Sequence, residues 1–269
     1  MESILDPAYA RKNPFLLVLS GFLFVSLGVI ATLFLKLGAT SEFLLILFIT
    51  LPSIPFILKG FELEEQDVEK KVCIGNTLEC HLPAITYLAA FFLGMIIGFT
   101  FWYLFLPDSQ VTQLFSLQQN ELKSITASFQ GAFTINVNHF ETIFLHNLEV
   151  MALIWVFSLL YGAGAIFILT WNASVIAVFL GELAKLSLLR EGSILTGLSY
   201  GFLGILPHGI FELASYLTVA LSGGILSSAI IRKSYRTKEF THVIFDVVKL
   251  GAWAIVILAI AAFIESTGG

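Results

Sequence analysis

The sequence predicts an all-α, polytopic membrane protein, and three observations carry that prediction. The 269 residues are 57% hydrophobic and 12% charged, and their mean hydropathy is +0.91. Soluble domains carry about 25% charged residues. The chain also contains long charge-free runs, and a membrane-spanning helix needs about 20 apolar residues. This composition and a net charge of −5 exclude a soluble globular domain, a disordered chain and a nucleic-acid-binding surface.

Charged residues used as boundaries divide the chain into seven predicted spans. In chain order these are 15–35, 43–58, 82–106, about 146–170, 193–206, about 211–231 and 247–264. The second is short and contains Pro52 and Pro55. Residues 171–181 are too few to cross a bilayer alone, so we expect a re-entrant or broken helix there. A second break is expected at Pro207, since proline favours the first turn of a helix.

The distribution of lysine and arginine orients these spans. With the N-terminus in the cytoplasm, 12 of the 14 basic residues lie on the inside, and only Lys36 and Lys123 lie outside. Basic residues are enriched in cytoplasmic segments. Without the second span, ten basic residues would fall outside. The prediction is a multi-pass protein of the cell membrane with a cytoplasmic N-terminus and an external C-terminus.

One membrane domain covering residues 1–269 is predicted, surrounded by lipid. It has an acidic cytoplasmic loop at 59–81 and a long outer loop at 107–145. Apolar residues at helical spacing over 111–129 predict an amphipathic helix on the outer interface. Small residues spaced four apart predict close helix packing or a homo-oligomer. These are Gly94 and Gly98, Gly197 and Gly201, and Gly224 and Ser228.

Polar side chains within apolar spans are the candidate site residues, because an ionisable group there costs about 2.5–3.5 kcal/mol on insertion scales. The sharpest pattern is Pro207-His-Gly-Ile-Phe-Glu212. On a helix, His208 and Glu212 are four residues apart and share one face. Gly209 would allow close packing beside them. The other candidates at membrane depth are His146, Asn147, Glu149 and Asn172.

Three interpretations of the His208–Glu212 pair remain open. The pair can form a structural hydrogen bond that fixes the break at Pro207 and Gly209, and polar residues often serve such packing in membranes. It can supply two ligands to zinc, although catalytic zinc takes three protein ligands. It can also act as an acid–base or proton-relay pair. No catalytic residue or cofactor is assigned, and Cys73 and Cys80 are interpreted as free thiols.

Three stretches that occur in order resemble the stage II sporulation protein M family, and archaeal-type members look most similar. They are Ile143-Phe-Leu-His-Asn147, the stretch 160–172 that ends in Trp-Asn, and Pro207–Glu212 followed by Gly223-Gly224. The similarity covers about residues 140–231. In spore-forming bacteria the family protein is a scaffold that works with cell-wall hydrolases during engulfment. The resemblance therefore implies a non-enzymatic scaffold or assembly factor with a membrane or envelope protein partner.

Two other functions stay open. Interrupted spans often mark transporter sites, so the breaks at Pro52, Pro55 and Pro207 are consistent with a transporter or channel whose polar site is His208 and Glu212. An intramembrane metal-dependent hydrolase is the third hypothesis, and it would need ligands beyond these two residues.

Overall fold

The computed structural model describes residues 13–36, 38–69, 77–130, 137–161, 164–238 and 240–267, and within them the chain is helical. Eight α-helices follow one another in the described residues: α1 Pro14–Leu35, α2 Ser41–Glu69, α3 Thr77–Phe105, α4 Asp108–Gln130, α5 Val137–Tyr161, α6 Gly164–Glu191, α7 Ile194–Ile231 and α8 Phe240–Ser266. All except α4 are long and apolar enough to cross a membrane, which gives seven spans. The all-α membrane fold with seven spans is confirmed.

The predicted fourth span, about 146–170, is wrong in its boundaries. Helix α5 ends at Tyr161, and α6 begins at Gly164 and continues to Glu191. Residues 171–181 therefore lie inside a full-length span, and the expected re-entrant segment is absent from this described helix. The boundary was missed because we located turns by their charged residues, and the connection between α5 and α6 contains none.

The break predicted at Pro207 is also wrong, because α7 runs through it. The predicted spans 193–206 and 211–231 form one helix of 38 residues, which begins where the Ser193 hydroxyl accepts a hydrogen bond from the Thr196 N–H. A proline inside a helix removes one hydrogen bond and costs about 3 kcal/mol in water. Within a bilayer, ending the helix would leave several backbone groups without partners, so the helix continues.

These two corrections reverse the predicted side of Lys185 and Arg190, which lie in the last turns of α6. The Lys185 ammonium is 3.0 Å from a carboxylate oxygen of Asp108 and 4.9 Å from the ring centre of Tyr103. Lys185 thus lies at the bundle end where α3 ends and α4 begins. Ten of the 14 basic residues, instead of 12, then fall on the predicted cytoplasmic side. The charge distribution still favours the same orientation.

Glycines lie where helices approach most closely. A Cβ on Gly94 would overlap the carbonyl oxygen of Val18 in α1, and a Cβ on Gly197 would overlap that of Leu183 in α6. Gly98, Gly201 and Gly224 also lie against neighbouring helices, whereas Ser228 is half-buried. The small residues therefore serve contacts within this chain.

The two predicted loops are largely helical. Helix α2 continues to Glu69 and α3 begins at Thr77, so the loop at 59–81 narrows to residues 70–76, which lie outside the described residues. The amphipathic helix expected over 111–129 is present as α4. The free-thiol interpretation is wrong for Cys80, which is disulfide-bonded, and Cys73 lies outside the described residues.

Candidate functional site

Glu212 lies near the middle of α7, and packing contacts fix its depth. Gly201, eleven residues earlier, packs on Leu180 and Leu183 of α6, toward the end of the bundle where α6 ends. Gly224, twelve residues later, packs on the ring of Phe61 near the opposite end. Helix α7 is about 57 Å long at 1.5 Å per residue, and the hydrocarbon core is about 30 Å thick. The Glu212 carboxyl group therefore lies within the bilayer.

Four polar side chains from three helices surround the Glu212 carboxyl group. Tyr216, one turn later on α7, directs its phenol toward this carboxyl group and interacts with it. His208 on α7, His146 on α5 and Glu265 on α8 lie close enough to interact with it electrostatically. These five residues, Glu212, Tyr216, His208, His146 and Glu265, form what we call the intramembrane cluster. Their convergence gives the Glu212 carboxyl group polar neighbours that lipid cannot supply.

Glu212 has two interacting neighbours on its own helix, His208 one turn before it and Tyr216 one turn after it. His208 interacts with Glu212 electrostatically. The buried Nδ1 atom of its ring has no hydrogen-bond partner among the described residues.

The remaining predicted site residues differ in their surroundings. His146 faces an open surface and lies close enough to Glu212 to interact with it, while Asn147 beside it is buried at 7% exposure. Glu149 is exposed. The Asn172 side chain donates a hydrogen bond to the Ile168 carbonyl oxygen at 2.9 Å, so that bond holds it to its own helix.

Two members of the cluster were missed from the sequence. Tyr216 follows Glu212 by the same spacing of four that separates His208 from Glu212, so the pattern contained a signal for it. Glu265 lies in the last turn of α8, immediately after the predicted span that ended at Ile264. A boundary placed one residue later would have included it.

A second buried charged group joins three helices at the other end of the bundle. His81 of α3 lies with Nδ1 2.6 Å from a carboxylate oxygen of Glu64 in α2 and Nε2 3.9 Å from one of Asp246 in α8. The side chains of His81 and Glu64 are each 3% exposed. Nδ1 is within hydrogen-bond distance of Glu64, whereas Nε2 has no hydrogen-bond partner among the described residues, so Asp246 adds a longer ionic contact only. The arrangement ties the ends of α2, α3 and α8 together.

Helix α4 is held by a buried apolar face against the end of the bundle where α3 ends. Val111, Leu114 and Phe115 are at most 3% exposed. The Phe115 ring makes edge-on contacts with Phe99 and Tyr103 of α3, at ring-centre distances of 6.2 and 5.4 Å. Such burial contributes about 1.5–3 kcal/mol for each large apolar side chain.

Hydrogen bonds fix the position of α4 along the bundle. Gln113 donates to the Ser41 hydroxyl at 3.0 Å, and Gln119 donates to the Tyr103 hydroxyl at 2.8 Å. Ser116 donates to the carboxylate of Glu42. Together with the ion pair of its first residue with Lys185, these bonds connect α4 to α2, α3 and α6.

Comparison with protein families shows the family to which the chain belongs. The family described as stage II sporulation protein M matches residues 87–268, which is more than half of the chain. The chain belongs to this family. A protein of Methanocaldococcus jannaschii described as uncharacterised is 28% identical over 188 residues, which cover 68% of this chain and 92% of that protein. No solved structure matches.

The match to the stage II sporulation protein M family is longer than the predicted 140–231. It starts within α3 and extends through α8, so it includes all five residues of the intramembrane cluster and the whole of α4. Helices α1 and α2 precede it. Within the described residues, no group of three His, Cys, Asp or Glu side chains is arranged to hold a metal ion.

Proposed function

We propose that this protein is a non-enzymatic membrane scaffold or assembly factor, and that the exposed face of α4 binds a membrane or envelope protein. The docking of α4 carries the proposal. A scaffold needs a binding face of fixed position, and α4 is fixed by three buried apolar side chains and by bonds to α2, α3 and α6. The orientation inferred from the charges puts this face outside the cell.

The chemistry of that face suits a protein partner. Leu117 is 42% exposed and lies between the exposed polar residues Thr112 and Glu121. Interfaces commonly combine an apolar centre with a polar rim. Since α4 is not among the membrane-spanning helices, its exposed leucine is available to a partner at the outer surface.

Photo-crosslinking in native membranes tests this proposal. A photoreactive residue replaces Leu117 in one variant and Phe101 in the control, a residue of α3 that is 40% exposed. We expect position 117 to give a discrete protein adduct and position 101 to give lipid adducts. A second variant carries the photoreactive residue at Glu121 together with Leu117→Glu, and it should lose the protein adduct. Lipid adducts alone at both 117 and 121 would contradict the proposal.

The intramembrane cluster favours a second candidate function, proton-coupled transport. Ionisable residues at membrane depth mark proton and ion pathways in many transporters. Glu212 has an acidic and two histidine neighbours in Glu265, His208 and His146, which is a composition that suits proton exchange. The cluster also includes a hydroxyl donor, Tyr216, that can order the carboxyl group.

Proteoliposomes with an imposed pH gradient test this second candidate. Transport predicts that the wild-type protein dissipates the gradient faster than protein-free vesicles do. Glu212→Gln should abolish the difference, while Glu149→Gln, a change at an exposed carboxylate on α5, should retain it. Equal rates for wild-type and protein-free vesicles would refute transport of protons and leave the scaffold proposal untouched.

A further inference from the structure

One face of α5 points away from the bundle, and Glu149 lies at the centre of that face. The opposite face is fixed by Ser158, whose hydroxyl donates a hydrogen bond to the Ala220 carbonyl of α7 at 2.8 Å. Ser158 follows Glu149 by about two and a half helical turns, so the two side chains lie on opposite sides of α5. The Glu149 side chain therefore points away from α7, and it is exposed. Leu145 and Leu153, one turn to either side of it, are 48% and 52% exposed.

Glu149 also lies at the middle of the bilayer. The membrane-spanning part of α5 is Phe140–Leu159, and Glu149 is the tenth of its 20 residues. The carboxyl group is therefore about 15 Å from either edge of the hydrocarbon core. Ionisable groups at such depth are costly in lipid, and they almost always face a bundle interior or pair with one another. The face of α5 that carries Glu149 is therefore poorly suited to lipid alone.

The described part of this chain supplies no partner for the Glu149 carboxyl group, because no hydrogen bond or ion pair reaches it there. His139 and Glu141 on the same helix lie about 15 and 12 Å away along its axis. His146, three residues before Glu149, is exposed as well. It is close enough to Glu212 to interact with it, but no hydrogen bond joins His146 to a described residue. A partner for Glu149 at this depth has to come from a second molecule.

His146 and Glu149 make the exposed face of α5 complementary to itself. They are separated by about 4.5 Å along the helix axis and by less than one turn. A twofold axis along the membrane normal brings the same face of two copies together. The His146 imidazole of one copy then lies beside the Glu149 carboxyl group of the other and can donate a hydrogen bond to it. Ala152, which is exposed one turn after Glu149, leaves room for the two helices to approach closely.

We propose that two copies of this chain associate through the exposed face of α5, with His146 of each copy hydrogen-bonded to Glu149 of the other. The glycine contacts described above lie within one chain, so this surface is separate from them. His146 belongs to the intramembrane cluster, and the second copy thereby adds a carboxyl group to that cluster. The inference goes beyond the scaffold function and does not depend on it.

Energy transfer between full-length copies in phosphatidylcholine vesicles measures the association. Chains labelled at the C-terminus with a donor or an acceptor are diluted with lipid, and the loss of transfer gives the dissociation constant. The test variant Glu149→Leu removes both hydrogen bonds across the axis. The matched control Glu141→Leu makes the same change at an exposed carboxylate near the end of the span, where water is within reach.

We expect Glu149→Leu to weaken the dimer by about tenfold and Glu141→Leu to leave it unchanged. One interhelical hydrogen bond in a membrane contributes about a threefold change in affinity, and the axis doubles it. Equal dissociation constants for wild type and Glu149→Leu, or no energy transfer in the wild type, would overturn the proposal. If Glu149→Leu does not fold, Glu149→Ala and Glu149→Gln replace it. The first should lose about tenfold and the second, which keeps an oxygen acceptor, should stay near wild type.

Mixing two variants tests the pairing of the residues. Homodimers of Glu149→Leu and of His146→Leu lack both hydrogen bonds, whereas a mixed dimer of the two variants keeps one. The mixed dimer should therefore be about threefold tighter than either homodimer. A mixed dimer no tighter than the homodimers would refute the pairing of His146 with Glu149.

Oxidative crosslinking in native membranes identifies the molecule that covers the face. In a Cys73→Ser/Cys80→Ser background, Ala152→Cys should give an adduct of twice the 29.6 kDa chain mass. The control Phe101→Cys, on the exposed face of α3, should give none. An adduct of a different mass at position 152 would assign the face to another protein, and either that result or the lack of any adduct there would overturn the proposal.

Discussion

Replacing Tyr216 by phenylalanine should destabilise the bundle more than any conservative change at His208. Tyr216 is 4% exposed, and its phenol interacts with the Glu212 carboxyl group, for which it is the expected donor. Tyr216→Phe removes one oxygen atom and creates almost no cavity, so its cost comes from the acceptor left without a donor. Such a loss costs about 1–3 kcal/mol. At His208, a buried ring nitrogen has no partner among the described residues, so His208→Leu should be neutral or stabilising by up to about 1 kcal/mol.

Reversible unfolding in mixed micelles of mild detergent and dodecyl sulfate, followed by tryptophan fluorescence, measures these changes. Tyr200→Phe is the control, because Tyr200 is 64% exposed on the same helix. It should change the free energy of unfolding by less than about 0.5 kcal/mol. A double-mutant cycle of Tyr216→Phe with Glu212→Gln should give a coupling of about 0.5–3 kcal/mol. A His208→Leu variant that loses more stability than Tyr216→Phe would refute the reasoning.

Three further predictions use the same unfolding assay. Gly94→Ala should destabilise the protein by about 1–3 kcal/mol, because the added Cβ would overlap a backbone oxygen of α1. Gly204→Ala is the control and should not destabilise it, because no atom lies near a Cβ at that position. Gln118→Leu should stabilise the protein by about 1–3 kcal/mol, because Gln118 is fully buried and its amide atoms lack hydrogen-bond partners among the described residues. A loss of stability would contradict this prediction and show that the amide is solvated. His81→Asn should cost about 3–5 kcal/mol by removing the imidazole that pairs with the buried Glu64 carboxylate. A cost below about 1 kcal/mol would contradict the described ion pair.

The number of spans follows from composition, but their boundaries depend on the solvent that surrounds the helix. Apolar runs are detectable because each must cross about 30 Å of hydrocarbon. In a water-soluble protein, Pro207 would be expected to start a helix, because a carbonyl group that loses its helical hydrogen bond can bind water instead. In lipid the helix continues through it. The boundary between the helices that end at Tyr161 and begin at Gly164 escaped detection for a related reason, because the residues there are uncharged.

The candidate site was predictable only in part, because its members come from helices far apart in the sequence. The spacing of His208 and Glu212 placed both on one face, and that holds in α7. The contribution of Glu265 depends on how α8 packs against α7, which no local pattern reports. The buried pair of His81 and Glu64 lies in a segment that was predicted to be a loop, so its burial was not expected.

Cysteine labelling in intact cells tests most directly the central claim, that α4 and the turn between α6 and α7 face outside together. In a Cys73→Ser/Cys80→Ser background, single cysteines are placed at Thr112, Leu189 and Lys238, which are all exposed. A membrane-impermeant maleimide should label positions 112 and 189 in intact cells and position 238 only after permeabilisation. Labelling at 112 without labelling at 189 would contradict the helix order from α4 to α7. Labelling of 238 alone in intact cells would invert the bundle and remove α4 from the outer surface.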